Sequence, residues 1–373
     1  MVHENVIRIK KMKILHITDW ANGGLATYLE VICNDQSKNH KVYILASKST
    51  SENRITQREG FISLDPYERT IRGMWHALKL SRKHIQIIQP DILYIHSSFA
   101  GVFARLATIG LGTKPKIIYC AHGWSFLMQG NPLKKWIYKW IEKILSYFTD
   151  AIITISGNEH KAALKAGIDE NKLHKISHGI SPICEKLDPN FFNANTFSKQ
   201  KLNILFLGRY DYSKGFDWLM EFIVNNPTDS ISWHIAGKAI VDQKIAIPKE
   251  VTNHGWIPYA QIPQLLLRCD AVIIPSRWEG FGLAAIEAMK YAKPIITSRN
   301  GALPEPVNDE KNGWLFDMRN DDELNNILQF LQTKNLNTIG KNGYDLFMKN
   351  YTEARMTEAL NSLISTLLST KCN

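Results

Sequence analysis

Two doubly wound parallel α/β sheets in tandem are the fold class predicted by this 373-residue sequence. Three observations lead there. Short β-branched runs alternate with helical patterns along almost the whole chain. A stretch rich in Pro, Asn, Lys and Ser, residues 181–201, interrupts the alternation near the middle. The length suits two domains of ordinary size.

The first alternation predicts strands at 13–18, 41–46, 92–96, 116–121, 151–155 and 175–177. Helical patterns at 25–37, 70–89, 101–110, 132–148 and 159–166 lie between them. The second predicts a strand at 202–207, a helix at 216–225, and strands at 232–236, 253–256, 271–274 and 294–297. A helix at 283–291, a short strand at 314–316 and helical stretches at 321–332 and 336–369 complete it. The expected domains are 1–190 and 202–345, with 191–201 as linker and 346–373 as a helix crossing back onto the N-terminal domain. The sheets are expected to face one another across a cleft, with ligands at the carboxyl ends of the strands. Met12 is a candidate start, which makes residues 1–11 an extension.

The net charge is +10, and all of it lies in the first half: 26 Lys+Arg stand against 16 Asp+Glu up to residue 190, and 19 against 19 beyond. Nucleic acid, an anionic membrane surface and an anionic acceptor are the partners such a balance suits, beside a merely soluble basic surface. No nucleic-acid-binding motif accompanies the charge. Cys33, Cys120, Cys184, Cys269 and Cys372 show no paired spacing, which favours a reducing cytoplasm over disulfides or zinc. Basic residues run straight into the 13–18 strand, unlike a signal peptide, and no apolar run is long enough for a membrane span. Asp-x-Asp, His-Glu-x-x-His, Walker and Gly-x-Ser-x-Gly patterns are all absent, so no metal or other cofactor is expected.

Residues 270–305 carry the clearest chemistry. A buried strand ends at Pro275, and Glu279-Gly280-Phe281-Gly282 forms a turn. A helix then begins at Leu283. Such a junction presents free backbone N–H groups and the positive end of a helix dipole to an anion. Glu279 and Glu287 flank it, so one ligand with phosphates and hydroxyls fits, as in a nucleotide sugar. Arg209 and Lys214 follow the 202–207 strand and are placed to clamp a diphosphate, although solvated surface charge is the plainer alternative. Gly23-Gly24 after the first strand lets backbone approach a phosphate or sugar, or is a plain tight turn. His122 and His178 each follow a strand and are either substrate contacts or structural histidines.

The 132–148 stretch, PLKKWIYKWIEKILSYF, is a basic amphipathic helix. Trp136 and Trp140 border an apolar stripe, and Lys134, Lys135, Lys139 and Lys143 occupy the rest. That pattern fits a membrane interface, or an ordinary core-facing helix with a solvated lysine face.

Together these motifs resemble glycosyltransferase family 4, the retaining nucleotide-sugar transferases of the GT-B fold with two Rossmann-like domains. PSRWEGFGLAAIEAMKYAKPIITSRNGALPE is similar to its Glu-x7-Glu signature, FLGRYDYSKGFDWL to its Gly-Arg…Lys-Gly motif, and Gly23-Gly24 to its N-terminal glycine loop. The resemblance implies an N-terminal acceptor domain and a C-terminal donor domain. It implies that Arg209 and Lys214 bind the donor diphosphate and that Glu287 holds the ribose. Glu279, with the backbone of Gly280, Phe281, Gly282 and Leu283, would hold the transferred sugar and its phosphate. Gly24 would approach the phosphate, His122 the sugar, and the segment containing Ile257 the nucleobase. Three departures stand out: Tyr291-Ala292, Ala302 in place of a second glycine, and His178 where Asn is frequent. HSSFAGVFARL, IIYCAHGWSF and the lysine-tryptophan helix are similar to transferases of bacterial surface polysaccharide assembly (O-antigen, capsule, exopolysaccharide). That similarity implies a UDP-sugar donor, an acceptor on polyprenyl diphosphate, and a cytoplasmic enzyme peripheral to the inner membrane. A nucleotide-sugar 2-epimerase, a phosphorylase or a catalytically idle scaffold partner are the rival expectations.

Overall fold

The computed structural model describes residues 11–112, 114–183, 197–239 and 245–369. Within them the chain forms two compact units. The first runs to Ser177 and regains the chain from Ala354; the second runs from His178 to Glu353. The division thus falls ahead of the 181–201 stretch marked by composition and of the expected 191–201 linker; residues 184–196, with Cys184, lie outside the described residues, as do residues 1–10 and Cys372.

The first unit contains β1 (Lys13–Ile17), α1 (Gly24–Ser37), β2 (Lys41–Ala46), α2 (Asn53–Thr56), β3 (Phe61–Ser63) and α3 (Ile71–Ile88). It continues with β4 (Ile92–His96), α4 (Ser98–Ala107), β5 (Lys116–Cys120), α5 (Pro132–Ser146), β6 (Ala151–Thr154), α6 (Gly157–Lys165) and β7 (Leu173–Lys175). Its seven parallel strands lie in the order β3-β2-β1-β4-β5-β6-β7. The strands are apolar runs because both faces are covered. Leu15, Ile17, Leu93, Ile95 and Ile152 pack with Phe103 and Trp124 in the core.

The second unit contains β8 (Leu202–Leu207), α7 (Phe216–Asn225), β9 (Ile231–Ala236), β10 (Val251–Asn253), α8 (Ile262–Arg268) and β11 (Ala271–Ile274). Then come α9 (Leu283–Lys290), β12 (Ile295–Ser298), β13 (Gly313–Phe316), α10 (Asp321–Leu331) and α11 (Leu336–Asn350). The strand order is β10-β9-β8-β11-β12-β13. Both sheets therefore reverse direction beside their first strand, between β1 and β4 and between β8 and β11. Those are the points where open α/β sheets bind ligands. The last helix, α12 (Glu353–Ser369), returns to the first unit, where Asn361 Nδ2 donates to Asp35 Oδ2 (2.9 Å).

Several local expectations shift. The helix expected at 101–110 starts at Ser98, because the Ser97 hydroxyl accepts from Ala100 N and caps it there. Leu173–Lys175 rather than 175–177 pairs with β6, and Val251–Asn253 rather than 253–256 pairs with β9. The single helix expected over 336–369 is two. Thr352 pairs with Ile180 in a short bridge, and Gly179 lies so close that an added Cβ would meet Thr352 O at 2.2 Å. The edge strand β3 and the short helices α2 and α8 were not expected.

Helix α5 is inverted relative to a core helix. Its stripe of Leu133, Trp136, Ile137, Trp140 and Ile144 faces solvent, with Trp136 58 % exposed, whereas Glu142 is 3 % exposed. Glu142 Oε2 pairs with fully buried Arg105 (2.7 Å), and Glu142 Oε1 accepts from the Tyr119 hydroxyl (2.7 Å). The Arg105 guanidinium also lies 4.0 Å over the Tyr119 ring and donates to Gly101 O. The outward apolar stripe rules out the ordinary core-facing alternative for this helix.

Breaking a buried pair strands one charge in a low-dielectric site. Glu142→Leu is expected to destabilise the chain by about 3–5 kcal/mol, read as a lowered urea midpoint. An unchanged midpoint would show that the Arg105 charge finds water.

Candidate functional site

In the second unit the site is built on the two loops that leave β8 and β11. The β8 loop is organised by Asp211. Its Oδ1 accepts from Lys214 N (3.0 Å) and Ser213 Oγ (2.5 Å), and its Oδ2 pairs with Arg209 Nε (3.1 Å). Arg209 Nη2 also donates to Ser213 Oγ (3.3 Å). Gly215 closes the loop at φ 66°, where a Cβ would meet Pro275 O at 1.9 Å, so only glycine allows this approach. Lys214 Nζ forms an ion pair with Glu279 Oε1, joining the two loops directly.

Arg277 ties the same loops together. Its backbone N–H donates to Ser213 O (2.9 Å), and its guanidinium grips both Asp217 oxygens (2.6 and 2.8 Å) and lies 3.7 Å over the Tyr212 ring. Such a planar fork holds a fixed geometry that lysine cannot supply. Gly301, at φ 61°, sits under Glu279: a Cβ there would meet Glu279 O at 2.5 Å, and Ala302 N donates to that oxygen (3.0 Å).

Helix α9 starts at Leu283 after left-handed Gly282, with no side-chain cap on its first turn. Leu283, Ala284 and Glu287 are its half-buried positions, while Ala285, Ile286, Ala288 and Met289 are buried. Helical spacing therefore puts Glu287 on the open stripe, one turn beyond Leu283. Gly280 is half-buried in the turn. Phe281 is buried, with its ring 5.1 Å from His178 and 5.8 Å from Tyr351. Ile257 is buried behind the loop after β10, while neighbouring Trp256 is exposed beneath Lys238 Nζ (4.6 Å). Among the described residues, no three His, Cys, Asp or Glu side chains group closely enough to hold a metal ion.

In the first unit, left-handed residues follow three strands at or beside the reversal point: Gly23 (φ 56°), Ser97 (φ 74°) and His122 (φ 53°). Non-glycine residues in that region store strain, which persists where surrounding contacts hold it. Gly24 opens α1, whose cap Gly23 offers no side chain, and Glu52 Oε1 accepts from Gly23 N (2.7 Å). Buried Asp19 accepts from Ser97 Oγ (2.5 Å) and pairs with Arg69 (2.8 Å). His122 Nε2 lies 3.0 Å from His96 Nδ1, and the Tyr28 ring meets it edge-on at 4.7 Å.

Of the residues singled out in the sequence, Arg209, Lys214, Glu279, Gly280, Phe281, Gly282, Leu283, Glu287 and Ile257 thus belong to the second unit, while Gly24 and His122 belong to the first. His178 opens the second unit as a ring packed on Phe281. Lys134, Lys135, Trp136, Lys139, Trp140 and Lys143 lie on α5 of the first unit. Asp211 and Arg277 stood inside the quoted motifs, and their charge beside a strand end was the available signal. Asp19, Arg69 and His16 carried no motif, and His96, which opens the HSSFAGVFARL stretch, was not singled out there.

The chain matches two family models: Glycosyltransferase Family 4 over residues 22–182 and Glycosyl transferases group 1 over residues 188–345. It is 32 % identical over 330 residues to a 41.2 kDa protein of the cps region of Klebsiella pneumoniae, covering 86 % of this chain and 90 % of that one. It is 25 % identical to an Escherichia coli UDP-Gal:α-D-GlcNAc-diphosphoundecaprenol α-1,3-galactosyltransferase, over 73 % of this chain and 74 % of that one. Its fold is similar to that of Anabaena HepE in complex with UDP-glucose. The TM-score is 0.78 at 19 % identity, covering 96 % of this chain and 100 % of that one.

Burial lowers His178 from 6.5 to about 3 and His16 from 6.5 to about 4. The unfolded chain takes up these protons just below 6.5, the folded chain only near 3–4. The stability from these two groups is therefore complete above that window and falls as pH drops through it. At pH 5 each group removes roughly 2 kcal/mol relative to neutral pH. Urea midpoints should fall between pH 7.5 and pH 5, with a shallower fall in His178→Phe; equal slopes would refute the assignment.

Proposed function

The chain belongs to glycosyltransferase family 4, a glycosyltransferase of the GT-B fold with two Rossmann-like domains, and from that premise we propose its reaction. It transfers a hexose or N-acetylhexosamine from a UDP-sugar to a saccharide carried on polyprenyl diphosphate, in surface polysaccharide synthesis, with retention and without a metal ion. The observation that carries the donor half is the Lys214–Glu279 pair. It spans the loops of β8 and β11 at the reversal of the sheet, beside the uncapped start of α9.

The geometry supports a division of labour. Arg209 and Lys214 neutralise the departing diphosphate, aided by the N–H groups of Gly280, Phe281, Gly282 and Leu283. The Lys214–Glu279 pair is part-exposed, so Lys214 exchanges or shares its partner as phosphate arrives. Glu279 then turns to the sugar hydroxyls, Glu287 holds the ribose, and Ile257 backs the base. The family resemblance of the Gly23-Gly24 loop and of the His122 segment assigns Gly24 to the phosphate and His122 to the sugar. The acceptor hydroxyl attacks on the face from which the diphosphate leaves. A donor phosphate oxygen takes its proton, so no side chain acts as base.

The acceptor half rests on α5. A solvent-facing stripe of Trp and Ile ringed by lysines suits the anionic inner leaflet, and no helix among the described residues is long and apolar enough to cross a membrane. Trp136, Lys139, Trp140, Lys143 and Lys165 also line a groove of about 360 Å³, which offers cations and indole edges to a lipid phosphate. The Escherichia coli galactosyltransferase, named for a diphosphoundecaprenol acceptor, supports the lipid-linked substrate.

A thermal-shift screen across nucleotide sugars tests the donor assignment, since a ligand of the folded state raises Tm. Labelled sugar appearing in a lipid fraction, rather than as an isomerised donor or a sugar phosphate, separates transfer from epimerase or phosphorylase chemistry. Lys214→Ala is expected to cost about 2–4 kcal/mol of transition-state stabilisation, the scale of one preorganised donor; near-normal kcat/KM would reject the clamp. Replacing Lys134, Lys135, Lys139 and Lys143 with Gln removes about 1 kcal/mol per lysine at an anionic surface, or roughly a thousandfold in vesicle affinity. Unchanged binding to phosphatidylglycerol vesicles would reject the membrane face.

A further inference from the structure

We propose that Gln36, His16 and His96 form a buried relay that holds His122 in one tautomer, making them positioning residues for the transfer reaction. The proposal rests on the reading that His122 meets the donor sugar.

The relay is one continuous line. Gln36 Oε1 lies 2.8 Å from His16 Nε2, His16 Nδ1 lies 3.0 Å from His96 Nε2, and His96 Nδ1 lies 3.0 Å from His122 Nε2. His16 and His96 are fully buried, and Gln36 is buried behind them. The rings of His16 and His96 are stacked at 5.3 Å and 12°. Tyr94 packs 4.2 Å from His96, and its hydroxyl bonds that of Tyr28, whose ring in turn meets His122. His16 and His96 also sit on β1 and β4, the two strands flanking the sheet reversal, so the relay stands on rigid backbone.

Its polarity follows from the amide. A carbonyl oxygen only accepts, so His16 Nε2 carries the hydrogen and His16 Nδ1 is the acceptor. A neutral imidazole has one donor and one acceptor nitrogen, so the choice propagates. His96 donates from Nε2 and accepts at Nδ1, and His122 donates from Nε2. Whatever else His122 meets is therefore met through Nδ1 as an acceptor, the polarity that receives a sugar hydroxyl. Burial keeps His16 neutral, with its pKa lowered to about 4. The line ends on an amide, which neither takes nor releases a proton, so it orients His122 and does not conduct protons. It also supplies the hold that the strained φ of 53° at His122 requires.

Side-chain 15N correlation spectra of the full chain test this. The His122 signals are identified by their loss in His122→Gln. The wild type is expected to show a single Nε2-protonated His122. In His96→Phe and Gln36→Leu the tautomers should mix. kcat should fall by about tenfold or more, the scale on which outer partners of functional imidazoles act. UDP affinity should stay within about twofold by calorimetry, since the nucleotide contacts are untouched. Mixed tautomers in the wild type overturn the proposal, as does unchanged kcat in a folded variant whose tautomers have mixed. Should His96→Phe fail to fold, Gln36→Leu, which removes only the terminal acceptor, gives the same readouts. A single wild-type tautomer in a chain that binds no nucleotide sugar leaves the relay standing and refutes the functional reading instead.

Discussion

One backbone contact governs the second unit's site. Gly215 passes so close to the Pro275 carbonyl that no side chain fits between them. This approach brings the loop of β8 against the loop of β11. Asp211 then shapes the first loop, Arg277 staples it to the second, and Gly301 fixes the height of Glu279. The ammonium of Lys214 and the carboxylate of Glu279 meet because backbone brings them together. Long, flexible side chains lose little additional freedom when their stems are already held, which is how a charge can be set in place before a ligand arrives.

The two units share one strand order through their first six strands but furnish the reversal point differently. The second carries Arg209, Lys214 and Arg277 with matching carboxylates. The first carries histidines, Ser97 and the Asp19–Arg69 pair, and its β1 loop opens a helix capped by glycine. The excess positive charge of the first half is therefore not spent at its reversal point. Much of it lies on α5 and the adjoining end of α6, around exposed indoles. Charge and chemistry occupy separate addresses on the same domain.

Much of this was legible from the amino acids. The β-branched runs that became β1, β4, β8 and β11 are bounded by turn residues and largely buried on both faces, so pattern and structure agree. The Gly280–Leu283 junction and the cations after β8 were readable because each lies within a few residues of a strand end. What escaped has a common cause: it depends on pairings distant in sequence. Thr352 breaks the last helical run only because Ile180 pairs with it. Residues 16, 36, 96 and 122 converge through three different strand ends and a helix; His122 stood out in the sequence, but 16, 36 and 96 each look alone like an ordinary core polar residue. Three-residue β3 and seven-residue α8 are too short for periodicity to mark, although Pro263 at the start of α8 was a signal.

Helix α5 shows the limit most plainly. Its apolar stripe was evident, and the usual rule would turn that stripe inward. The deciding residue is Glu142, the sole acid on the helix, matched to Arg105 on α4 and Tyr119 on β5. A buried ion pair adds little net stability over apolar residues of equal volume, but it tolerates only one geometry. Here it acts as a rotational index. With a hydrophobic pair in its place, the helix could roll about its axis and bury its own tryptophans, gaining stability while erasing the surface it displays. The ionic contact makes the outward orientation the only one in which every buried charge is answered, so the exposure of greasy side chains is a property of the folded state rather than a defect in it.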